Sequence, residues 1–137
     1  MKIDRRTQLR EVAFLLLFRL DFYPHKDMDE QIRDFFEGEE EFTEEEKEAV
    51  GNKVLMITAL ADEIDEALNQ VSVGWKVKRM SRVDLTILRL AYYEIKYDEN
   101  VPVSSAINEA VELAKNYGEE NSPSFVNGIL AKVAKDE

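Results

Sequence analysis

The chain has 137 residues, 45% of them apolar, with one His, no Cys and a formal charge of −11; this bounds it to about one domain with a buried core and argues against disorder. Without Cys there is no disulfide, thiolate nucleophile or thiolate-held metal, and a single His rules out a histidine-rich zinc site and the Glu-x-x-His pairs of di-iron bundles. No apolar run reaches the ~20 residues of a membrane span, and the N-terminus carries no apolar signal core, so a cytoplasmic protein is expected.

The negative charge is unevenly spread. Residues 37–48 hold eight Glu against Lys47, a net of −7, whereas residues 1–10 carry Lys2, Arg5, Arg6 and Arg10 against Asp4, a net of +3. Residues 76–82 add Lys76, Lys78, Arg79 and Arg82 with no acid, a net of +4. Two basic islands on an acidic body suit either a local RNA site or solvated helix ends, because the field near a surface follows the patch more than the total.

The first helix is predicted from Asp4 to about Asp21, with Leu9, Val12, Ala13, Leu16, Leu17 and Leu20 returning to one face. Arg6, Arg10, Phe14 and Phe18 recur every four residues beside that stripe. Such a row can hold phosphates on guanidinium groups and a base on a ring, or the two phenyl rings can pack under a second element. Pro24 and His25 end the segment, and the lone His reads as a surface group in a turn. Asp27 is placed to cap a short second helix carrying Met28, Ile32, Phe35 and Phe36, and Gly38 to Glu41 reads as a solvated acidic loop.

Thr43 with Glu46 forms a capping box that opens the longest predicted helix, to about Val71. Val50, Val54, Ile57, Ala61, Ile64, Leu68 and Val71 alternate steps of four and three, a seam that packs inside the chain or against a second copy. Gly74 to Met80 is a basic connector with Trp75 and Val77 as candidate anchors, and a subdomain boundary is expected near residues 72–80.

Ser81 to Tyr97 is the centre of the predicted fold. Val83, Ile87, Leu90, Ala91 and Tyr97 make one stripe while Leu85, Leu88, Tyr92 and Ile95 fill much of the rest, which is more apolar surface than one face buries. Ser81 with Asp84 reads as another capping box. Residues 98–100 make a turn, and Pro102 opens a helix with Ala106, Ile107, Ala110, Val111, Ala114 and Tyr117 on its apolar face and Gly118 just past its end. Asn121-Ser122-Pro123 is a cap-plus-proline start, with Ser122 as the expected cap, followed by Phe125, Val126, Ile129, Leu130 and Val133. With no sustained strand alternation, the fold class is all-α, six to seven helices in two small subdomains of one domain, residues 1–137. Five scattered glycines make no phosphate-cradling loop, paired carboxylates are expected by chance in so acidic a chain, and neither an enzyme nor a cofactor is indicated.

The strings Leu88-Arg-Leu-Ala-Tyr-Tyr-Glu94, Val101-Pro102, Ile107-Asn-Glu-Ala-Val-Glu-Leu-Ala-Lys115 and Phe125-Val-Asn-Gly-Ile-Leu130 resemble the NusB transcription antitermination factors. Arg10-x-x-Ala13-Phe14-x-x-Leu17-Phe18 is similar to the start of that family. The resemblance spans nearly the whole chain, dense from residue 80 onward and thin from 22 to 75. It implies binding of boxA-type single-stranded RNA, jointly with the small-subunit ribosomal protein that acts as NusE, within the RNA polymerase antitermination complex. The implied RNA surface maps to Lys2, Arg5, Arg6 and Arg10 and to Asn121, Ser122, Ser124 and Phe125; the implied partner surface maps to Phe18 and Asp84. Thr7 and Gln8 depart from the most basic versions of the family's N-terminal segment. The rival readings are a helical interaction module or homodimer without RNA activity, and a domain of the kind fused to RNA methyltransferases, although no Gly-rich cofactor segment follows before Glu137.

Overall fold

The computed structural model describes residues 4–24 and 26–135. Lys2 and His25 lie outside the described residues. Among those described there are seven α-helices, one 3₁₀ turn and no strand. The chain divides into two compact units, Met1–Ala59 and Leu60–Glu137.

In the first unit α1 spans Arg5–Phe22, and Asp4 caps it by accepting the Arg6 N–H at 2.9 Å. Its stripe packs as the periodicity requires, with Ala13, Leu16, Leu17 and Leu20 buried. Helix α2 (Met28–Phe36) starts at Asp27, whose carboxylate accepts the Glu30 N–H at 3.2 Å, and it buries Phe36. It also buries Gln31, whose amide donates to the carbonyls of Tyr23 (3.1 Å) and Lys26 (3.3 Å) and so pins the preceding turn. Hydrophobic periodicity cannot flag a polar anchor of this kind. Helix α3 (Glu44–Ala59) packs on α1, and the Thr43–Glu46 box forms in both directions, at 3.1 and 2.9 Å.

The predicted long helix is interrupted. Leu60 leaves helical geometry (φ −96°, ψ 4°), and α4 restarts at Ala61–Val71. The seam hides this break because Val50, Val54, Ile57, Ile64 and Leu68 are all buried on either side of it. A one-residue departure leaves the apolar spacing nearly in step, so periodicity reads straight through it. The division between the units therefore falls at Leu60 in the sequence, ahead of the 72–80 connector where a boundary was expected.

In the second unit α5 (Arg82–Tyr97) packs against α4, α6 (Val103–Tyr117) and α7 (Ser122–Lys135). It buries Ile87, Leu88, Leu90, Ala91 and Ile95, which point around most of its circumference, whereas Tyr97 at its end is exposed. Ala106, Ala110 and Ala114 are buried on α6, and their short side chains allow close approach to α5 and α7. Arg89 on α5 meets Asp65 on α4 in a two-point ion pair, Nε–Oδ1 2.8 Å and Nη2–Oδ2 2.6 Å, with both side chains mostly buried. Removing one partner leaves the other charge short of hydrogen bonds in a partly desolvated place. Asp65→Ala is expected to cost about 1–3 kcal/mol of stability, read as a lower urea midpoint at unchanged slope.

Candidate nucleic-acid interface

On α1 the four-residue row splits by burial. Arg6 is exposed and Arg10 half-buried, but Phe14 is only 2% exposed and is part of the core, so it offers no face to a base. Phe18 is half-buried between Phe14 (centroids 6.0 Å apart) and Phe22 (4.8 Å, edge to face), and Phe22 is exposed.

Arg5 is committed within its own unit. Its Nε and Nη2 bind the two Glu46 oxygens at 2.8 and 2.7 Å, Nη2 also donates to the Glu41 carbonyl at 3.0 Å, and Nη1 donates to Gln8 Oε1 at 3.1 Å. Its guanidinium lies over the Phe42 ring, 4.7 Å from the centroid. The acidic stretch is thus structured around cations as well as solvated: Lys47 Nζ donates to the Glu39 carbonyl at 2.6 Å. Arg5, and then the Thr43 N–H, hold the Glu46 carboxyl down to about 2 from its ordinary 4.5.

The second unit carries a groove of about 590 Å³ where the connector, the start of α5 and the start of α7 meet. Trp75 and Arg79 come from the connector, Asp84 from α5, and Glu119, Asn121 and Phe125 from the turn before α7 and its first residues. Trp75 is not a core anchor: it is 47% exposed, while Met80 is the buried residue of that stretch. The connector is nevertheless fixed. The buried Ser72 hydroxyl donates to the Trp75 carbonyl, Asn69 Oδ1 accepts the Val77 N–H at 2.8 Å, and Lys76 Nζ donates to the Asn69 carbonyl at 2.9 Å.

Two helix starts differ from their expected form. The Ser81–Asp84 box is half made: the Asp84 N–H donates to Ser81 Oγ at 3.1 Å, but Asp84 Oδ1 is buried and accepts no hydrogen bond among the described residues. Ser122 is the first residue of α7 rather than its cap, and it is buried; its Oγ reaches back to accept the Glu119 N–H at 2.9 Å. The Asn121 carbonyl instead accepts the Phe125 N–H (3.1 Å) and the Ser124 hydroxyl (3.2 Å). Ser122 also explains Gly118, since a Cβ there would sit 2.6 Å from Ser122 Oγ. Asn121 and Ser124 are exposed and Phe125 is half-buried on the groove wall.

The profile of the NusB family matches residues 7–135. The chain belongs to the NusB family. A relative from Lachnoclostridium phytofermentans named transcription antitermination protein NusB is 48% identical over 128 residues, covering 93% of this chain and 97% of the relative. The structure of T. maritima NusB superposes with a TM-score of 0.88 at 34% identity, covering 100% of this chain and 94% of that one. A solved complex of antitermination factors NusB and NusE with dsRNA shares the fold, with a TM-score of 0.84 at 24% identity and coverage of 96% and 97%. Among the described residues of this NusB-family chain, no helix is long and apolar enough to cross a membrane.

Trp75 and Glu119 were not singled out as site residues from the sequence, and Arg79 entered only as a member of the 76–82 basic island. The only available signal was the one Trp beside a basic run, and its exposure depends on the Ser72 and Asn69 anchors of the connector.

The Arg5–Glu46 contact has a pH signature. Because the folded carboxyl titrates below its unfolded value, its contribution is fully present above about 4.5 and is lost as pH falls from there toward about 2. Thermal melts across that window are expected to fall less steeply for Glu46→Gln than for the unaltered protein, with the two curves converging at the acid end.

Proposed function

We propose that this chain is an RNA-binding transcription antitermination factor. It takes boxA-type single-stranded RNA together with the ribosomal protein that acts as NusE, and thereby helps RNA polymerase pass terminators. The observation that carries this reading is membership of the NusB family over nearly the whole chain, with a 48% identical relative named as an antitermination protein. The solved NusB–NusE assembly supplies the kind of partner to test against a chain of the same fold.

The described residues refine the RNA set. Arg6 and Arg10, one turn apart on α1, are the phosphate contacts of the first unit, with Lys2 preceding them in sequence. Arg5 acts as their support, since its donors are spent on Glu46, Glu41 and Gln8. In the second unit Asn121, Ser124 and Phe125 face the RNA, and buried Ser122 shapes the turn that presents them. Phe18, with the exposed Phe22 edge against it, is the protein-partner contact of α1. Asp84, which the family pattern also gives to the partner, opens into the same groove as Asn121 and Phe125.

For single strands the logarithm of affinity falls against the logarithm of salt with a slope of about −0.7 per phosphate neutralised. Arg6→Ala combined with Arg10→Ala is expected to make that slope shallower by roughly 1 to 1.5 for boxA-like RNA in the presence of the partner. An unchanged slope removes α1 from the RNA site. Phe18→Ala is expected to weaken association with the ribosomal partner by about tenfold or more, measured by calorimetry, with the melting temperature nearly kept. Loss of fold in step with loss of binding returns Phe18 to the core.

A further inference from the structure

Glu46 has two roles in the first unit, and only one of them needs its charge. As the third residue of α3 it closes the capping box, its Oε1 accepting the Thr43 N–H at 2.9 Å. Gln closes such a box as well as Glu does. The charge serves Arg5 instead: Nε meets Oε2 at 2.8 Å and Nη2 meets Oε1 at 2.7 Å, the two-point fork with which a guanidinium also grips a phosphate. The carboxyl, held down to about 2, stays ionised at any working pH.

The pair lies at the surface, with the Arg5 side chain 42% and the Glu46 side chain 22% exposed, so another anion can reach it. Contacts between exposed charges are weak, and a phosphate brought alongside by a neighbouring cation competes with them. Arg6, exposed and next in sequence, is such a neighbour. The other contacts of the Arg5 guanidinium, with the Glu41 carbonyl at 3.0 Å, the Gln8 amide oxygen at 3.1 Å and the Phe42 ring at 4.7 Å, involve uncharged groups, which leave it placed and charged when Glu46 is neutral.

We infer that Glu46 is a built-in competitor for RNA: its carboxylate fills the Arg5 fork that a phosphate would take, and so withholds one cation of the basic N-terminal island. The support that Arg5 gives its neighbours is that of the free chain. A phosphate entering the fork displaces Glu46, yet the Thr43 contact keeps the released carboxylate alongside, so the phosphate gains almost no net positive charge. Arg5 therefore adds little to counterion release in the unaltered chain, and RNA affinity is set below what the cations alone would give. The proposal rests on the RNA-binding reading above and adds an autoinhibitory contact to it.

The test is a double-mutant cycle on the full chain with the ribosomal partner present, titrating end-labelled boxA-like single-stranded RNA by fluorescence anisotropy over a series of salt concentrations. Glu46→Gln keeps the cap and removes the charge. It is expected to tighten RNA binding about two- to fivefold at low salt and to steepen the salt slope by about 0.7, one further phosphate. Arg5→Ala alone is expected to change binding by less than about twofold, and Arg5→Ala added to Glu46→Gln is expected to abolish the gain. Glu45→Gln, an exposed acid of the same helical turn, removes the same charge and is expected to leave the slope unchanged. A gain that survives Arg5→Ala, or that Glu45→Gln reproduces, is a general charge effect and overturns the competitor. Weaker binding by a folded Glu46→Gln makes the contact a positioning one and equally overturns it. If Glu46→Gln does not fold, Arg5→Ala alone decides: near-parity with the unaltered chain supports the competitor, and a loss as large as that of Arg6→Ala overturns it. Each of these outcomes leaves the antitermination reading standing, whereas absence of RNA binding by the unaltered chain defeats that reading and the competitor together.

Discussion

The second unit depends on one constraint: α5 is apolar around most of its circumference and has to be covered on several sides at once. Fully burying an aliphatic side chain contributes about 1.5–3 kcal/mol, and Ile87, Leu88, Leu90 and Ile95 all do so on that single helix. Three neighbours are needed to supply the cover, and α4, α6 and α7 are what the rest of that unit consists of. The groove follows from this arrangement. Helices α5 and α7 begin beside the connector, so the residues at their starts are left as the lining of a cleft.

Much of this was legible from side-chain chemistry. Asp27 and Thr43 cap as expected, and α1, expected from Asp4 to about Asp21, is capped by Asp4 and ends at Phe22. Pro102 and Gly118 flank α6 as expected, although Gly118 keeps an extended backbone (φ −93°) and its lack of a side chain makes room for Ser122. What stayed hidden depends on three-dimensional neighbours. Phe14 and Phe18 share a row on α1, yet one is sealed in the core and the other reaches the surface. The seam from Val50 to Leu68 has no mark at Leu60, where the chain passes from one unit to the next.

The candidate site was legible in its residue types and less so in its roles. Arg5 belongs to the basic N-terminal island by composition, but a two-point contact with Glu46 assigns its donors elsewhere, and only the fold brings residues 41 apart in sequence together. Ser122 carries the expected hydroxyl at a helix start, used in the opposite direction, toward Glu119. Asp84 completes half of its expected box and leaves an acceptor buried. Local pattern predicts that a polar group sits at a helix end; which partner it takes is decided by chain segments that the pattern does not contain.

The arginine–glutamate contact between α1 and α3 also bears on how a polyanion finds the protein. With Arg5 neutralised locally, the chain's charge of −11 is opposed near the N-terminus by few cations. An approaching RNA is repelled by the body at long range and attracted only when the basic stretches lead. Charge here filters the orientation of productive encounters more than it raises their frequency, and added salt weakens the repulsion and the attraction together. The association rate should therefore vary with ionic strength far less than the dissociation rate, which reports the close contacts alone.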